Sequence, residues 1–260
     1  MSEESAALLR VDNVSVRFGG IVALDKVTFS MGAGSIVGLI GPNGAGKTTL
    51  FNCLSRLYEP SSGNIEFKGH SLLDQPRHRI AELGIGRTFQ NLALFRHMSV
   101  LDNVMVGMHC QTRGDFISHA FRLPLASREE RSIHEVALEM IDFLDLRDVM
   151  HLPAAGLPFG TLKRVELARA LACQPKLLLL DEPAGGLNHE EVSDLAAIIR
   201  SLKTRRHVTV LLVEHHMQLV MQVSDQVVAL NFGRVMADGT PAAVQQNPEV
   251  IRAYLGSNEA

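Results

Sequence analysis

Residues 41–49 run Gly41-Pro42-Asn43-Gly44-Ala45-Gly46-Lys47-Thr48-Thr49. Glycines at this spacing let the backbone curl until its N–H groups converge on an anion. Upstream, Ser35-Ile36-Val37-Gly38-Leu39-Ile40 is a short apolar run suited to a buried parallel strand. Downstream, Thr48 to Leu57 carries apolar residues at helical spacing. Strand, glycine loop and helix together separate a phosphate-binding loop from an ordinary glycine-rich turn. The helix N-terminus adds partial positive charge at the same point. Lys47 can meet the β- and γ-phosphates as a point charge, and Thr48 offers a hydroxyl to Mg²⁺. The expected substrate is a nucleoside triphosphate.

A second constellation lies far along the chain. Leu177-Leu178-Leu179-Leu180 reads as a buried strand, and Asp181-Glu182 closes it. Parallel sheets bind ligands at the carboxyl ends of their strands. Asp181 is therefore expected beside the Mg²⁺ that Thr48 implies. Glu182, one residue on, can hold and polarise an attacking water. Two adjacent carboxylates alone would more often be a solvated turn; the apolar run before them and the glycine loop elsewhere favour catalysis.

Strands and helices alternate along the rest of the sequence. Strand character covers Leu8–Phe18, Ala23–Ser30 and Gly63–Gly69. Helical periodicity dominates from Ser99 to about Arg147 and again over Thr161–Cys173. Helix at 189–204, strand at 208–213, helix at 216–222 and strand at 226–230 follow. That alternation predicts an α/β fold with a parallel sheet covered on both faces, plus an inserted helical subdomain. At 260 residues and 46% hydrophobic the chain can bury a sizeable core. A net charge of −3 gives no footprint for a dedicated nucleic-acid binder. Cys53, Cys110 and Cys173 are far apart and read as buried thiols of a reducing compartment. The acidic start Met1-Ser2-Glu3-Glu4-Ser5 does not read as a signal peptide, and no apolar run approaches the roughly 20 residues of a membrane span.

Further stretches carry a family resemblance over nearly the whole chain. Gly86-Arg87-Thr88-Phe89-Gln90-Asn91 with Ser99-Val100-Leu101-Asp102-Asn103-Val104 resembles the glutamine loop of the ATP-binding-cassette ATPases and the segment after it. Glu182-Pro183-Ala184-Gly185-Gly186-Leu187-Asn188 resembles their D-loop, and Leu212-Val213-Glu214-His215 their switch histidine. Asn231-Phe232-Gly233-Arg234, Gly239-Thr240-Pro241 and Ala253-Tyr254-Leu255-Gly256 are similar to the tail of branched-chain amino acid importer ATPases.

The resemblance implies a RecA-like core over about 1–95 and 160–240, with an antiparallel β subdomain. It also implies a helical subdomain with the signature over 96–160, and a tail over 241–260. It assigns Gln90 to sensing Mg²⁺ and the γ-phosphate, and His215 to contacting the γ-phosphate and orienting water. Phe18 would stack on adenine. The signature is atypical: Leu157-Pro158-Phe159-Gly160-Thr161 stands where relatives carry Leu-Ser-Gly-Gly-Gln. Gly160 keeps a backbone N–H at a helix start, able to face the phosphate held by a second subunit.

The function implied is ATP binding and hydrolysis driving a bacterial importer. A second cassette subunit, usually a paralogue, two membrane permeases and, indirectly, a periplasmic binding protein would be its partners, with no nucleic acid. The location implied is the cytoplasmic face of the inner membrane. Other transport ATPases, for lipopolysaccharide export or urea and amide import, are the nearest alternatives. A non-transport ATPase usually carries two cassettes or a long coiled coil, and neither is in this sequence. The surface formed by Gln90 to Met98 and the start of the helical subdomain is the expected permease-docking surface, because Leu92, Leu94, Phe95 and Met98 cluster large apolar groups on a loop.

Overall fold

The structure, a computed structural model, describes residues 7–88, 92–108 and 124–255; of 124–128 and 255 it describes the backbone alone. The chain divides into two compact units, one of residues 1–80 and 176–260, the other of residues 81–175.

In the first unit a parallel sheet is built from β3 (Ile36–Ile40), β7 (Leu177–Asp181), β8 (Thr209–Val213) and β9 (Gln226–Asn231), with β10 (Arg234–Gly239) antiparallel at the edge. β3 lies between β9 and β8, and β8 pairs with β7. Every residue of β3, β7 and β8 is buried. This is why they read as unbroken apolar runs rather than as alternating strands: helices cover both faces of such a sheet. The helices following the parallel strands are α1 (Lys47–Leu54), α5 (His189–Arg206) and α6 (Met217–Val223). α5 starts on a capping box: Asn188 Oδ1 accepts from Glu191 N at 3.0 Å and Glu191 Oε2 from Asn188 N at 2.9 Å. Glu190 and Glu191 in its first turn and Lys203, Arg205 and Arg206 in its last complement the helix dipole.

An antiparallel sheet of order β2-β1-β4-β5 completes this unit: β1 (Leu9–Phe18), β2 (Ile21–Met31), β4 (Ser62–Phe67) and β5 (His70–Ser71). The β1–β2 register slips between Val11 and Val14, where Asn13 sits at φ 50°. Left-handed backbone is tolerated by Asn, and a bulge there sharpens the strand twist. α7 (Pro241–Gln245) and α8 (Pro248–Leu255) end the described chain.

The second unit holds β6 (Ile85–Arg87), α2 (Val100–Val106), α3 (Pro124–Phe143) and α4 (Phe159–Ala172). Leu101, Ala137, Met140, Ile141, Val165 and Ala168 are among its buried residues. Among the described residues no helix is long and apolar enough to cross a membrane.

Candidate functional site

The glycine loop connects the end of β3 to the start of α1, and its glycines are held open by close neighbours. Gly41 has φ 152°, and a Cβ there would meet Leu230 O at 2.3 Å. Gly46 has φ 101°, and a Cβ there would meet Ala23 O and Leu24 Cδ2, each at 2.7 Å. Any side chain at either position would force the loop outward. The loop is also bonded from behind. Gly233 N donates to Ala45 O at 3.0 Å, and Asp25 N donates to Gly233 O at 2.8 Å. Gly233, at φ 76°, packs against Ala23 O and Leu24 Cα. An Arg234–Asp25 ion pair at 2.5 Å joins the β9–β10 turn to β2. The phosphate loop is thus clamped between β2 and that turn.

Lys47 is nearly fully buried. Its ammonium donates to Gly41 O at 2.6 Å and to Pro42 O at 3.0 Å. Burial lowers its pKa from the ordinary 10.5, and the charge of Glu182 works in the opposite direction. The Glu182 effect places that carboxylate within electrostatic reach of the loop. Asn43, Gly44 and Thr48 are exposed, Pro42, Gly46 and Thr49 half-buried, and Ala45 buried.

Asp181 ends β7 and is 4% exposed. Opposite it in β8 is Val213, whose carbonyl accepts from Glu182 N at 2.9 Å. Glu182 has φ 47°, an uncommon conformation for a residue with a Cβ. Its Oε1 lies 2.7 Å from His215 Nε2, a hydrogen bond in which the imidazole N–H donates. Both side chains remain partly open to solvent. The Glu182 carboxylate, oriented by the imidazole and still open to solvent, can be reached by a water, as a hydrolytic base requires.

The oxygen-only set of the Thr48 hydroxyl and Asp181 carboxylate suits a hard divalent cation, which takes few protein ligands and completes its shell with phosphates and water. The buried Asp181 at a strand end fits that role. At the other end of the site Phe18 is 47% exposed at the β1–β2 turn. It meets Tyr58 edge-to-face at 5.2 Å. Its ring is presented to solvent rather than packed in the core, as an adenine platform needs to be.

Gln90 lies outside the described residues. Gly160 is the second residue of α4, whose N-cap is Pro158, with φ −56° and ψ 149° and no side-chain cap. Pro158 therefore stands one position before the helix proper, and Leu162 N donates to its carbonyl at 3.0 Å. The Phe159 ring is 44% exposed, with Lys163 Nζ 5.7 Å from its centroid. Leu92, Leu94, Phe95 and Met98 are all half-buried or exposed. Phe95 is the exposed one of the four, at 52%. Of the cysteines, Cys53 is buried, its thiol pushed up to about 12 by burial, whereas Cys173 is only half-buried, a correction to the expectation of buried thiols throughout. Cys110 lies outside the described residues.

Four residues were missed in the sequence. Glu214 is 2% exposed and accepts three backbone hydrogen bonds. Tyr254, in α8, has its phenol pKa raised by burial, and a hydrogen bond from the Gly41 backbone partly offsets that. Asn103, fully buried, pins the 95–99 loop: its Oδ1 accepts from Phe95 N at 2.8 Å, and its Nδ2 donates to Phe95 O, Met98 O and Ser99 O. Tyr58 braces Phe18. Glu214 shows in the sequence only as a glutamate after the apolar run 210–213. Its bond to Ala184, like the contacts of Tyr254 and Tyr58, joins residues distant in sequence, whereas Asn103 bonds within eight residues.

Comparison with known proteins gives a consistent set of similarities. Residues 24–185 match the ABC transporter family, and residues 234–260 match the family described as branched-chain amino acid ATP-binding cassette transporter. The high-affinity branched-chain amino acid transport ATP-binding protein BraF of Pseudomonas aeruginosa is 42% identical, over 97% of this chain and 99% of that protein. The corresponding protein LivG of Escherichia coli is 40% identical over the same shares. A crystal structure of an ATP-binding cassette of an ABC transporter in its ADP conformation superposes with a TM-score of 0.84 at 30% identity, covering 96% of this chain and 99% of that one.

Proposed function

The chain belongs to the ABC transporter family of ATP-hydrolysing cassettes, and from that premise we propose that it powers an importer of branched-chain amino acids. The observation that carries the solute class is the match of its tail, residues 234–260, to the branched-chain amino acid cassettes. Two whole-length relatives named for that transport support it.

The site residues take the following roles. Phe18 stacks on adenine. The loop Gly41–Thr49 wraps the phosphates, and Lys47 turns from the Gly41 and Pro42 carbonyls to the β- and γ-phosphates. Thr48 and Asp181, with Gln90 as the sensing residue, would hold Mg²⁺, which would supply positive charge against the phosphates. Glu182 accepts a proton from water as the water oxygen attacks the γ-phosphorus. The bond from that phosphorus to the β–γ bridging oxygen breaks, and ADP and phosphate leave. His215 holds the Glu182 carboxylate from the other side and lies near the γ-phosphate. Gly160, at the start of α4, presents its amide to the nucleotide of a second cassette, so hydrolysis occurs between two subunits.

Coupling to transport runs through two membrane permeases, which seat on the 92–98 loop at the cytoplasmic face. A periplasmic protein delivers the solute to them. Affinity purification of the chain from membranes tests this reading. Two permeases, a paralogous cassette and a leucine-binding periplasmic protein are expected; permeases for sugars, lipopolysaccharide or urea would overturn the solute assignment.

A further inference from the structure

We infer that Glu214 is a positioning residue for hydrolysis, a buried carboxylate that sets the distance between Glu182 and His215 by tying together the two loops that carry them. The inference rests on the proposed roles of Glu182 and His215.

The strands β7 and β8 are adjacent and parallel, and each ends at the same level, Asp181 opposite Val213. Beyond that level the ladder stops. The Glu182 amide makes the last backbone bond between the two strands, to Val213 O at 2.9 Å. The next residues leave the sheet as a turn in which Gly185 N donates to Glu182 O at 3.1 Å and Leu187 N to Ala184 O at 3.1 Å. The chain after β8 likewise leaves through His215 and His216, both exposed. Two loops diverging from paired strands have no backbone reason to keep their side chains 2.7 Å apart.

Glu214 supplies that reason. Its Oε1 accepts from Ala184 N at 2.7 Å, in the loop of Glu182. Its Oε2 accepts from His215 N at 2.9 Å and from His216 N at 3.1 Å, in the loop of the imidazole. Ala184 is fully buried, so its N–H is withdrawn from water along with the carboxylate. Only a carboxylate meets this demand. Three N–H donors converge from two sides, and a carboxylate offers acceptors on both oxygens. Glutamine would turn an amide NH₂ toward one set of donors. Aspartate keeps both oxygens but is a methylene shorter. Charge-assisted hydrogen bonds of this kind are short and directional, which suits a spacer. The side chain is buried and acts through the loops of Glu182 and His215.

The test compares Glu214→Gln with the wild type in the assembled transporter, by single-turnover ATP hydrolysis and by equilibrium ATP binding. The phosphate loop is untouched, so ATP affinity should stay within about threefold while the hydrolytic rate falls about tenfold or more, the pattern of a misplaced catalytic group. The discriminating readout is the double variant with Glu182→Gln. If Glu214 works through Glu182, the second substitution adds little to the first. An unchanged hydrolytic rate in Glu214→Gln overturns the inference. So does a loss that multiplies in full with that of Glu182→Gln, or an equal loss of ATP binding. Should Glu214→Gln fail to assemble, Glu214→Asp takes its place under the same criteria. Near-normal hydrolysis by Glu182→Gln alone would strike at the catalytic roles instead, and so separates the two failures.

Discussion

At the scale of single residues, the site is organised around a lysine kept buried at a cost. Lys47 is almost wholly withdrawn from water and its ammonium is satisfied by two loop carbonyls. Burial depresses its pKa below the ordinary 10.5. The sign of the consequence is fixed by linkage: a depressed lysine opposes folding while protonated, and that opposition fades as the pH rises from the depressed value to 10.5. Lys47→Ala should therefore remove most ATP binding and also flatten the pH dependence of stability in the alkaline range. Urea midpoints between pH 8 and 10.5, measured for both proteins without nucleotide, check the second half. A wild-type pH slope in the variant, or wild-type affinity for Mg·ATP, contradicts this view of Lys47. The sequence made this lysine visible because the glycine spacing around it has few other uses. It hid Glu214, since nothing local says that three amides from two loops will converge on one carboxylate. It hid Tyr254 for the same reason: its bond with Gly41 spans most of the chain.

At the scale of elements, two helix starts are the ones proposed to meet other subunits. α4 begins on Pro158 with no side-chain cap. Serine there would accept from an otherwise unpartnered first-turn amide and stabilise the helix by about 1 kcal/mol. It would also return a hydroxyl to the signature. Pro158→Ser should then raise the melting temperature by about 2–4 °C, as expected for that free energy at this size, and increase ATP turnover of the assembled transporter. No change in turnover, or a loss with the fold intact, means that the backbone donors around Gly160 suffice. Near α2 the loop of residues 95–99 depends on Asn103, whose amide makes four hydrogen bonds to it while fully buried. Asn103→Ala should release that loop and Phe95→Glu should place a charge on it; both should reduce copurification of the permeases with ATP binding intact. Undiminished copurification of the Phe95→Glu protein would show that the docking surface is elsewhere. The elements themselves were largely legible. Four-residue and five-residue apolar runs became β3, β7 and β8 because strands buried on both faces need no alternation. The bulge at Asn13 and the two-residue β5 were not, because register is set by partners distant in sequence.

At the scale of the whole molecule, the proposed site residues are divided between the two units. The glycine loop, Asp181, Glu182 and His215 belong to one unit, and the signature helix and the 92–98 loop belong to the other. Each unit packs around its own buried residues. The clamp behind the phosphate loop, from Gly233 to Ala45 and on to Asp25, lies wholly within the first unit. The most direct measurement is ATP hydrolysis by Glu182→Gln alongside ATP binding by the same protein. Binding should persist, because Lys47 and the loop amides are intact, and hydrolysis should slow by roughly 10²-fold or more, the effect of losing a positioned base. Turnover near the wild-type rate would contradict the assignment of Glu182, and with it the hydrolytic role of the carboxylate–imidazole pair.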